Sequence, residues 1–186
     1  MMEMTLIQPR DVKLFQTSYR ISKRILDLTI CALFLPVLLP VIGLCALLIW
    51  LDNPGPIFFK QNRTGKGGKR FKMYKLRSMA TNAEELKQKY AHLNELTWPD
   101  FKITDDPRVT RIGRILRKTS LDELPQIFNI IKGDMSLVGP RPLLKEYLPL
   151  YSADQARRHA VRPGITGWAQ INGRNALTWD EKFKLD

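Results

Sequence analysis

Cysteine and histidine are nearly absent: the chain of 186 residues holds two of each. Cys31 and Cys45 both fall in an apolar stretch, while His92 and His159 stand far from them and from each other. No Cys/His metal-ligand spacing exists, and two thiols in apolar surroundings read as packing residues of a reducing compartment, not as a disulfide. Internal repeats and low-complexity tracts are missing. The glycines of Gly65-Lys66-Gly67-Gly68 lack the spacing of a Walker loop, so they carry no nucleotide-binding claim alone. The most informative absence is charge: from Leu28 to Leu51, over 24 residues, there is no Asp, Glu, Lys or Arg.

Such a run is long enough to cross a bilayer, which takes ~20 apolar residues. It starts too late and runs too long for a signal peptide, and a small-residue cleavage site is missing. Pro36 and Pro40 lie inside it, and each removes a backbone donor and clashes with the preceding turn. Arg20, Lys23 and Arg24 precede the run, and Lys60, Arg63, Lys66, Lys69 and Arg70 follow it. Basic flanks prefer the cytoplasmic side. A helix that enters, bends near Pro36–Pro40 and returns keeps both flanks there. The expectation is therefore a re-entrant hairpin, with a Pro-kinked transmembrane helix as the alternative.

Elsewhere charge is plentiful and one-sided. Thirty Lys+Arg against 18 Asp+Glu leave a formal net charge of +12, which suits anionic partners: nucleic acid, acidic headgroups or phosphorylated substrates. The length suits one compact domain with an appendage.

Residues 1–19 read as a surface leader. Asn53-Pro54-Gly55-Pro56 is a turn that stops the apolar helix. Ile57-Phe58-Phe59 and Phe71 to Leu76 read as the strands of a small hairpin around a basic glycine turn. Thr81-Asn82-Ala83-Glu84 is a capping-box pattern opening a polar helix to about Leu93, striped by Leu86, Tyr90 and Leu93. Trp98 to Pro107 is loop. In Arg111–Lys118, Ile112, Ile115 and Leu116 are expected on one face and Arg111, Arg114, Arg117 and Lys118 on another. That pattern fits a helix in a headgroup layer, or equally a solvated face over a protein core. The fold class is α+β and mostly helical, with a re-entrant membrane helix bent at proline, amphipathic interfacial helices and a small β-hairpin.

Ser120-Leu121-Asp122-Glu123-Leu124-Pro125 admits two readings. In one, Ser120 is an N-cap, Glu123 closes a capping box and Asp122 complements the helix dipole. In the other, the pair is a phosphoryl-transfer site: one carboxylate a nucleophile, the other a ligand to Mg²⁺, beside the free N–H groups of a helix start. Possible phosphate partners surround it in sequence. Pro140-Arg141-Pro142 holds a guanidinium between two fixed φ angles, and guanidinium binds phosphate bidentately. Lys75 and Arg77 lie two apart on a proposed strand. Arg162-Pro163-Gly164 and Asn172-Gly173-Arg174-Asn175 are further turns bearing arginine. Each also reads as ordinary turn or edge-strand charge.

Taken together these stretches resemble the bacterial sugar transferases, the monotopic phosphoglycosyl transferases that begin glycoconjugate assembly on undecaprenyl phosphate. The matching segments are Lys23–Asp27, Pro54–Gln61, Phe71–Met79, Thr119–Gln126, Lys132–Pro142 and Arg162 through Asn175. The resemblance implies a transfer of sugar-1-phosphate from a UDP-sugar to polyprenol (undecaprenyl) phosphate, releasing UMP. The step would open exopolysaccharide, O-antigen or glycoprotein glycan assembly at the cytoplasmic face of the bacterial inner membrane. It implies Asp122 as nucleophile, Glu123 with Asp122 on Mg²⁺, and Lys75, Arg77, Arg141, Arg162 and Arg174 on substrate phosphates. Implied partners are the UDP-sugar, polyprenol phosphate and the lipid bilayer, with a homodimer allowed and no nucleic acid.

Two departures accompany the resemblance. The family's re-entrant helix bends at Ser-Pro, where this chain has Leu39-Pro40. The family's domain also continues beyond the position of Asp186. The expected organisation is a leader at 1–19, the membrane hairpin at 20–52 and a cytoplasmic catalytic domain at 53–186 without its last part. The long stretch from Thr81 to Asp105 points to hexose-phosphate donors. A rival class, a basic membrane- or nucleic-acid-binding protein without catalysis, needs aromatic residues interleaved with basic ones, and Phe71 and Tyr74 offer little of that. A membrane phosphohydrolase would share the carboxylates and release free phosphosugar.

Overall fold

The computed structural model describes residues 17–95, 101, 103–173 and 178–186. Arg174 and the leader up to residue 16 lie outside the described residues. The chain divides into two compact units. One holds the residues up to Pro36, Gln61–Met73 and Gln126–Asp186; the other holds Val37–Lys60 and Tyr74–Pro125.

The apolar run lies within α1, a helix from Thr17 to Asp52 that is continuous through Pro36 and Pro40. Its burial reveals its surroundings. In the first unit Asp27 and Cys31, one turn apart, are buried, while Ile21, Ile25, Leu26, Leu33 and Phe34 face outward. In the second unit Ile42, Cys45 and Ile49 are buried, while Val37, Leu44, Leu47, Trp50 and Leu51 face outward. An apolar surface this extensive is not left in water by a soluble protein. The helix is long and apolar enough to cross a membrane, and we read this chain as a membrane protein.

Two strands follow, β1 (Phe58–Thr64) and β2 (Arg70–Leu76), paired in the expected small sheet. The turn between them is a short 3₁₀ segment, Lys66–Gly68, in which Gly67 and Gly68 have φ of 65° and 71°. Two successive left-handed residues explain why this turn is written in glycine.

In the first unit, α4 (Ile127–Lys132) ends at Gly133 in left-handed conformation, and β3 (Ser136–Val138) follows. Strand β3 pairs in parallel with β4 (Gly164–Thr166), with Ser136 opposite Gly164 and Val138 opposite Thr166. A Cβ on Gly164 would lie 2.2 Å from the Gly139 nitrogen, so only glycine admits this approach. The short helices α5 (Ala153–Ala156), α6 (Trp168–Ile171) and α7 (Trp179–Leu185) complete it. Asp27 anchors α1 here. It is 1 % exposed, accepts from Lys23 Nζ and Ser136 Oγ at 2.8 Å each, and also accepts from the Leu137 amide. Arg24 donates to the carbonyls of Ile130 and Ile131 at the carboxyl end of α4, where its positive charge meets the helix dipole.

In the second unit, α2 (Ala83–Lys89) is short, and a 3₁₀ turn at Ala91–Leu93 continues it. The expected capping box at Thr81 is not formed. Asn82 occupies the N-cap, outside extended backbone at φ −99° and ψ 24°, and makes no side-chain cap bond. Helix α3 (Arg111–Thr119) starts on Thr110, whose side chain accepts from the Gly113 amide, and Asp52 accepts from the Ile112 amide. The expected apolar face of α3 is divided. Leu116 is buried with Gly113, but Ile115 is 57 % exposed and stands among exposed Arg111, Arg114 and Lys118. Positions 111, 114, 115 and 118 share one stripe by helical spacing. The outward face is thus basic with an apolar centre, the composition of an interfacial helix.

Candidate functional site

The Asp-Glu pair sits where α3 ends. Ser120 closes that helix in left-handed conformation at φ 60° and ψ 16°, the one non-glycine residue among those described with positive φ. The reading of Ser120 as an N-cap is therefore corrected: N-cap residues are extended, and Ser120 is not. The Glu123 amide donates to the Ser120 carbonyl at 3.1 Å, and Leu121–Gln126 forms a 3₁₀ helix containing Pro125. A side-chain-bearing residue in this conformation costs on the order of 1 kcal/mol or more and persists where its surroundings hold it.

The turn delivers the two carboxylates to different environments. Glu123 Oε1 receives the Lys75 ammonium at 2.7 Å, with both side chains mostly covered. Asp122 is 8 % exposed. Burial pushes its carboxyl above the ordinary aspartate range; Lys75 pulls it down, Glu123 pushes it up, and Arg117 pulls it down. Asp122 is thus a partly desolvated carboxylate kept ionisable by two cations. A carboxylate stripped of water and flanked by cations suits nucleophilic attack on an anionic phosphate diester.

In the sequence Arg117 is one cation of the amphipathic helix. In the structure the residue stays exposed while its Nε donates to Ser78 Oγ at 2.9 Å, and its charge acts on both Asp122 and Asp106. Asp106 is itself bound by Arg108 at 2.6 Å in a buried pair. The missed signal was spacing, since Arg117 closes the last turn of α3 five residues before Asp122.

Of the two basic residues proposed on one strand, only Lys75 meets the carboxylates. Arg77 lies just past β2, is 7 % exposed and donates to the Asn53 carbonyl under the Asn53–Pro56 turn. Its amide donates to the Ile57 carbonyl at 2.8 Å. A Cβ on Gly55, whose φ is +139°, would come within 2.6 Å of Arg77 Nη1.

The first unit carries Arg141 and Arg162. Arg141 is exposed between buried Pro140 and Pro142. Its carbonyl accepts from Arg158 Nη2 at 2.7 Å. Arg158 in turn pairs with Asp186 at 2.6 Å and lies over the Phe183 ring. A buried arginine, unremarked in the sequence, thus fixes the backbone that presents Arg141. Arg162 Nε donates to the Gly133 carbonyl at 2.8 Å. Asp134 accepts from the fully buried Asn129, which also donates to the Lys72 carbonyl at 2.8 Å.

Among the described residues no three Asp, Glu, His or Cys side chains converge. A dedicated protein cage for a metal is not built there. Magnesium, however, is usually held by one or two carboxylates together with substrate phosphates and water. Adjacent Asp122 and Glu123 supply hard oxygen donors of that kind, so the residues present fit Mg²⁺.

The profile described as bacterial sugar transferase matches residues 18–186. The chain is 51 % identical over 167 residues to a protein named as an uncharacterized sugar transferase, EpsL, of Bacillus subtilis (strain 168), covering 89 % of this chain and 76 % of EpsL. It is 44 % identical over 183 residues to the galactosyl transferase CpsE of Streptococcus agalactiae serotype III (strain NEM316), covering 94 % of this chain and 39 % of CpsE. It is 40 % identical over 180 residues to the undecaprenyl-phosphate galactose phosphotransferase of Salmonella typhimurium (strain LT2), covering 93 % of this chain and 37 % of that protein. The chain thus spans about two fifths of the length of these last two.

Proposed function

The chain belongs to the bacterial sugar transferase family, and from that premise we propose that it transfers a sugar-1-phosphate from a UDP-sugar to polyprenol phosphate. Membership makes it an enzyme of sugar transfer. The observation that carries the finer reading is the buried Asp122 carboxylate between Lys75 and Arg117, beside a Glu123 already bound to Lys75.

In the proposed reaction an Asp122 carboxylate oxygen attacks the β-phosphorus of the UDP-sugar. A bond forms from that oxygen to phosphorus, the bond to the bridging oxygen breaks, and UMP leaves with the electron pair. The phosphosugar remains on Asp122 as an acyl phosphate. A phosphate oxygen of the polyprenol phosphate then attacks the same phosphorus, which frees Asp122 and yields a polyprenol diphosphosugar. Two displacements at one centre make a ping-pong course.

Each side chain has a task. Lys75 and Arg117 keep Asp122 ionised and offset charge building on the transferring phosphoryl group. Glu123, held by Lys75, is oriented as the second carboxylate. Arg141, on its rigid Pro-Arg-Pro turn, offers a bidentate guanidinium to a substrate phosphate. Asp122 and Glu123 would hold Mg²⁺, which when bound neutralises diphosphate charge and makes it a better electrophile and leaving group.

The membrane part of the proposal is that α1 enters and returns through one leaflet. Pro36 and Pro40 deprive the carbonyls of Ala32 and Pro36 of their amide donors, which makes this the softest part of the helix. The outward face of α3, Arg111, Arg114, Ile115 and Lys118, then rests in the headgroup layer of the cytoplasmic leaflet of the inner membrane.

A panel of UDP-sugars, assayed for UMP release with undecaprenyl phosphate in a membrane mimetic, tests this reading. One donor should release UMP, and the parent mixed with that donor alone should gain the mass of a phosphosugar. Full turnover by Asp122→Asn would refute the nucleophile.

A further inference from the structure

Two parts of the first unit reach the carboxyl end of α4. Arg24 reaches the Ile130 and Ile131 carbonyls from α1, and Arg162 Nε reaches the Gly133 carbonyl. Arg20 stands one turn before Arg24 on the same stripe of α1. Lys66 stands in the glycine turn, which the Gly65 amide closes by donating to the Lys69 carbonyl at 2.8 Å. That turn packs on the 3₁₀ segment Arg157–Ala160, directly ahead of Arg162.

Burial first, and then the neighbouring cations Arg20 and Arg162, hold the Lys66 ammonium below the ordinary lysine range. Like charges gathered in this way are stabilised by an anion bound among them. We propose that Arg20, Lys66 and Arg162 form a binding site for the phosphate of an anionic phospholipid headgroup. This assigns Arg162 to the bilayer rather than to the sugar nucleotide.

The lipid source follows from position. Tyr19 and Ile21, on either side of Arg20, are 41 % and 54 % exposed, and Ile25 and Leu26 continue the outward apolar surface. The uncharged run begins eight residues on, at Leu28. Arg20 therefore stands at the edge of the lipid-facing helix, beside a tyrosine of the kind that marks headgroup depth. Basic residues there attract acidic lipids. The proposal rests on α1 being a bilayer helix.

The test uses the full chain in zwitterionic detergent, given phosphatidylglycerol and phosphatidylcholine of identical acyl chains in equal amounts. Retained lipid is then counted by mass spectrometry. Phosphatidylglycerol should be retained preferentially, and Lys66→Gln should cut that preference about five-fold, roughly the value of one basic residue near a membrane surface. Arg20→Gln with Lys66→Gln should cut it about twenty-five-fold, with an unchanged melting temperature. Equal retention of both lipids by the parent would overturn the site, as would an undiminished preference in Lys66→Gln. Displacement of phosphatidylglycerol by millimolar inorganic phosphate would overturn its lipid assignment. UMP release is followed in parallel: lipid preference without turnover counts against the transferase, and turnover without preference against this site.

Discussion

The Lys75 ammonium and the Glu123 carboxylate meet at 2.7 Å, joining the end of β2 to the 3₁₀ turn that carries Asp122. The contact bridges 48 residues of sequence, and it places a cation where two adjacent carboxylates would otherwise repel. Lys75→Gln removes that cation, and the Asp122 carboxyl, already raised by burial, rises further. A nucleophilic carboxylate must be ionised, so activity is lost as pH falls through its titration. The acid limb of the UMP-release profile should move to higher pH in Lys75→Gln. An unmoved limb would separate Lys75 from the ionisation of Asp122.

Asp122→Asn tests the same group through stability. An Asp whose folded pKa is raised binds its proton more readily in the native state, so its ionised form weighs against folding above that titration. Asp122→Asn should abolish UMP release yet raise the melting temperature at neutral pH. The gap should close as pH falls through the range between the ordinary aspartate value of ~3.8 and the higher folded one. A lower melting temperature in the variant would show that Asp122 is there for packing.

Chelation gives a direct test of the metal. EDTA should stop UMP release, and Mg²⁺ in excess should restore it. Glu123→Gln should lower the rate on the order of a hundred-fold through loss of charge stabilisation, and should shift the Mg²⁺ requirement to higher concentration. Full activity after chelation would remove Mg²⁺ from the mechanism.

His159 is buried and packs against Tyr151, with ring centroids 5.6 Å apart and planes tilted by 39°. Burial first, then Arg158, lowers its pKa from 6.5 to about 4. The folded imidazole is neutral while the unfolded one takes a proton below pH ~6.5. Its contribution is therefore complete above pH 6.5 and is lost as pH falls toward 4, at no more than roughly 1.4 kcal/mol per pH unit. Denaturant titrations of the parent should show that slope, and His159→Gln should flatten it.

Two glycines inside helices make a paired test. A Cβ on Gly113 would come within 2.0 Å of the Ser78 carbonyl oxygen, whereas one on Gly43 meets nothing within 4 Å. Gly113→Ala should cost roughly 1–3 kcal/mol or more, since backbone must move. Gly43→Ala should be neutral or stabilising by up to ~1 kcal/mol through helix propensity. Melting in detergent distinguishes them, and equal effects would contradict the close contact of α3.

Local signals in the sequence identified the apolar helix, the hairpin, the glycine turn and the acidic pair, because period, turn chemistry and charge all act over a few residues. Long-range pairing was not legible. Lys75 and Arg77 look alike on a strand, yet one binds Glu123 and the other the Asn53 carbonyl. Arg117 reads as surface charge until Ser78 is placed against it. Ser120 has the composition of an N-cap and the backbone of a helix end, because α3 stops there before the 3₁₀ turn begins.

Asp27 lies beside the lipid-facing run, and the Ser136 hydroxyl that satisfies it arrives 109 residues later. At a synthesis rate of ~5–20 residues per second, α1 waits roughly 5–20 s for that partner. Throughout that interval its carboxylate has only Lys23 from its own helix, so the nascent anchor can settle at the membrane surface before it can lock. Insertion and docking are thus separate events in the biogenesis of this chain, and the ribosome sets the delay between them.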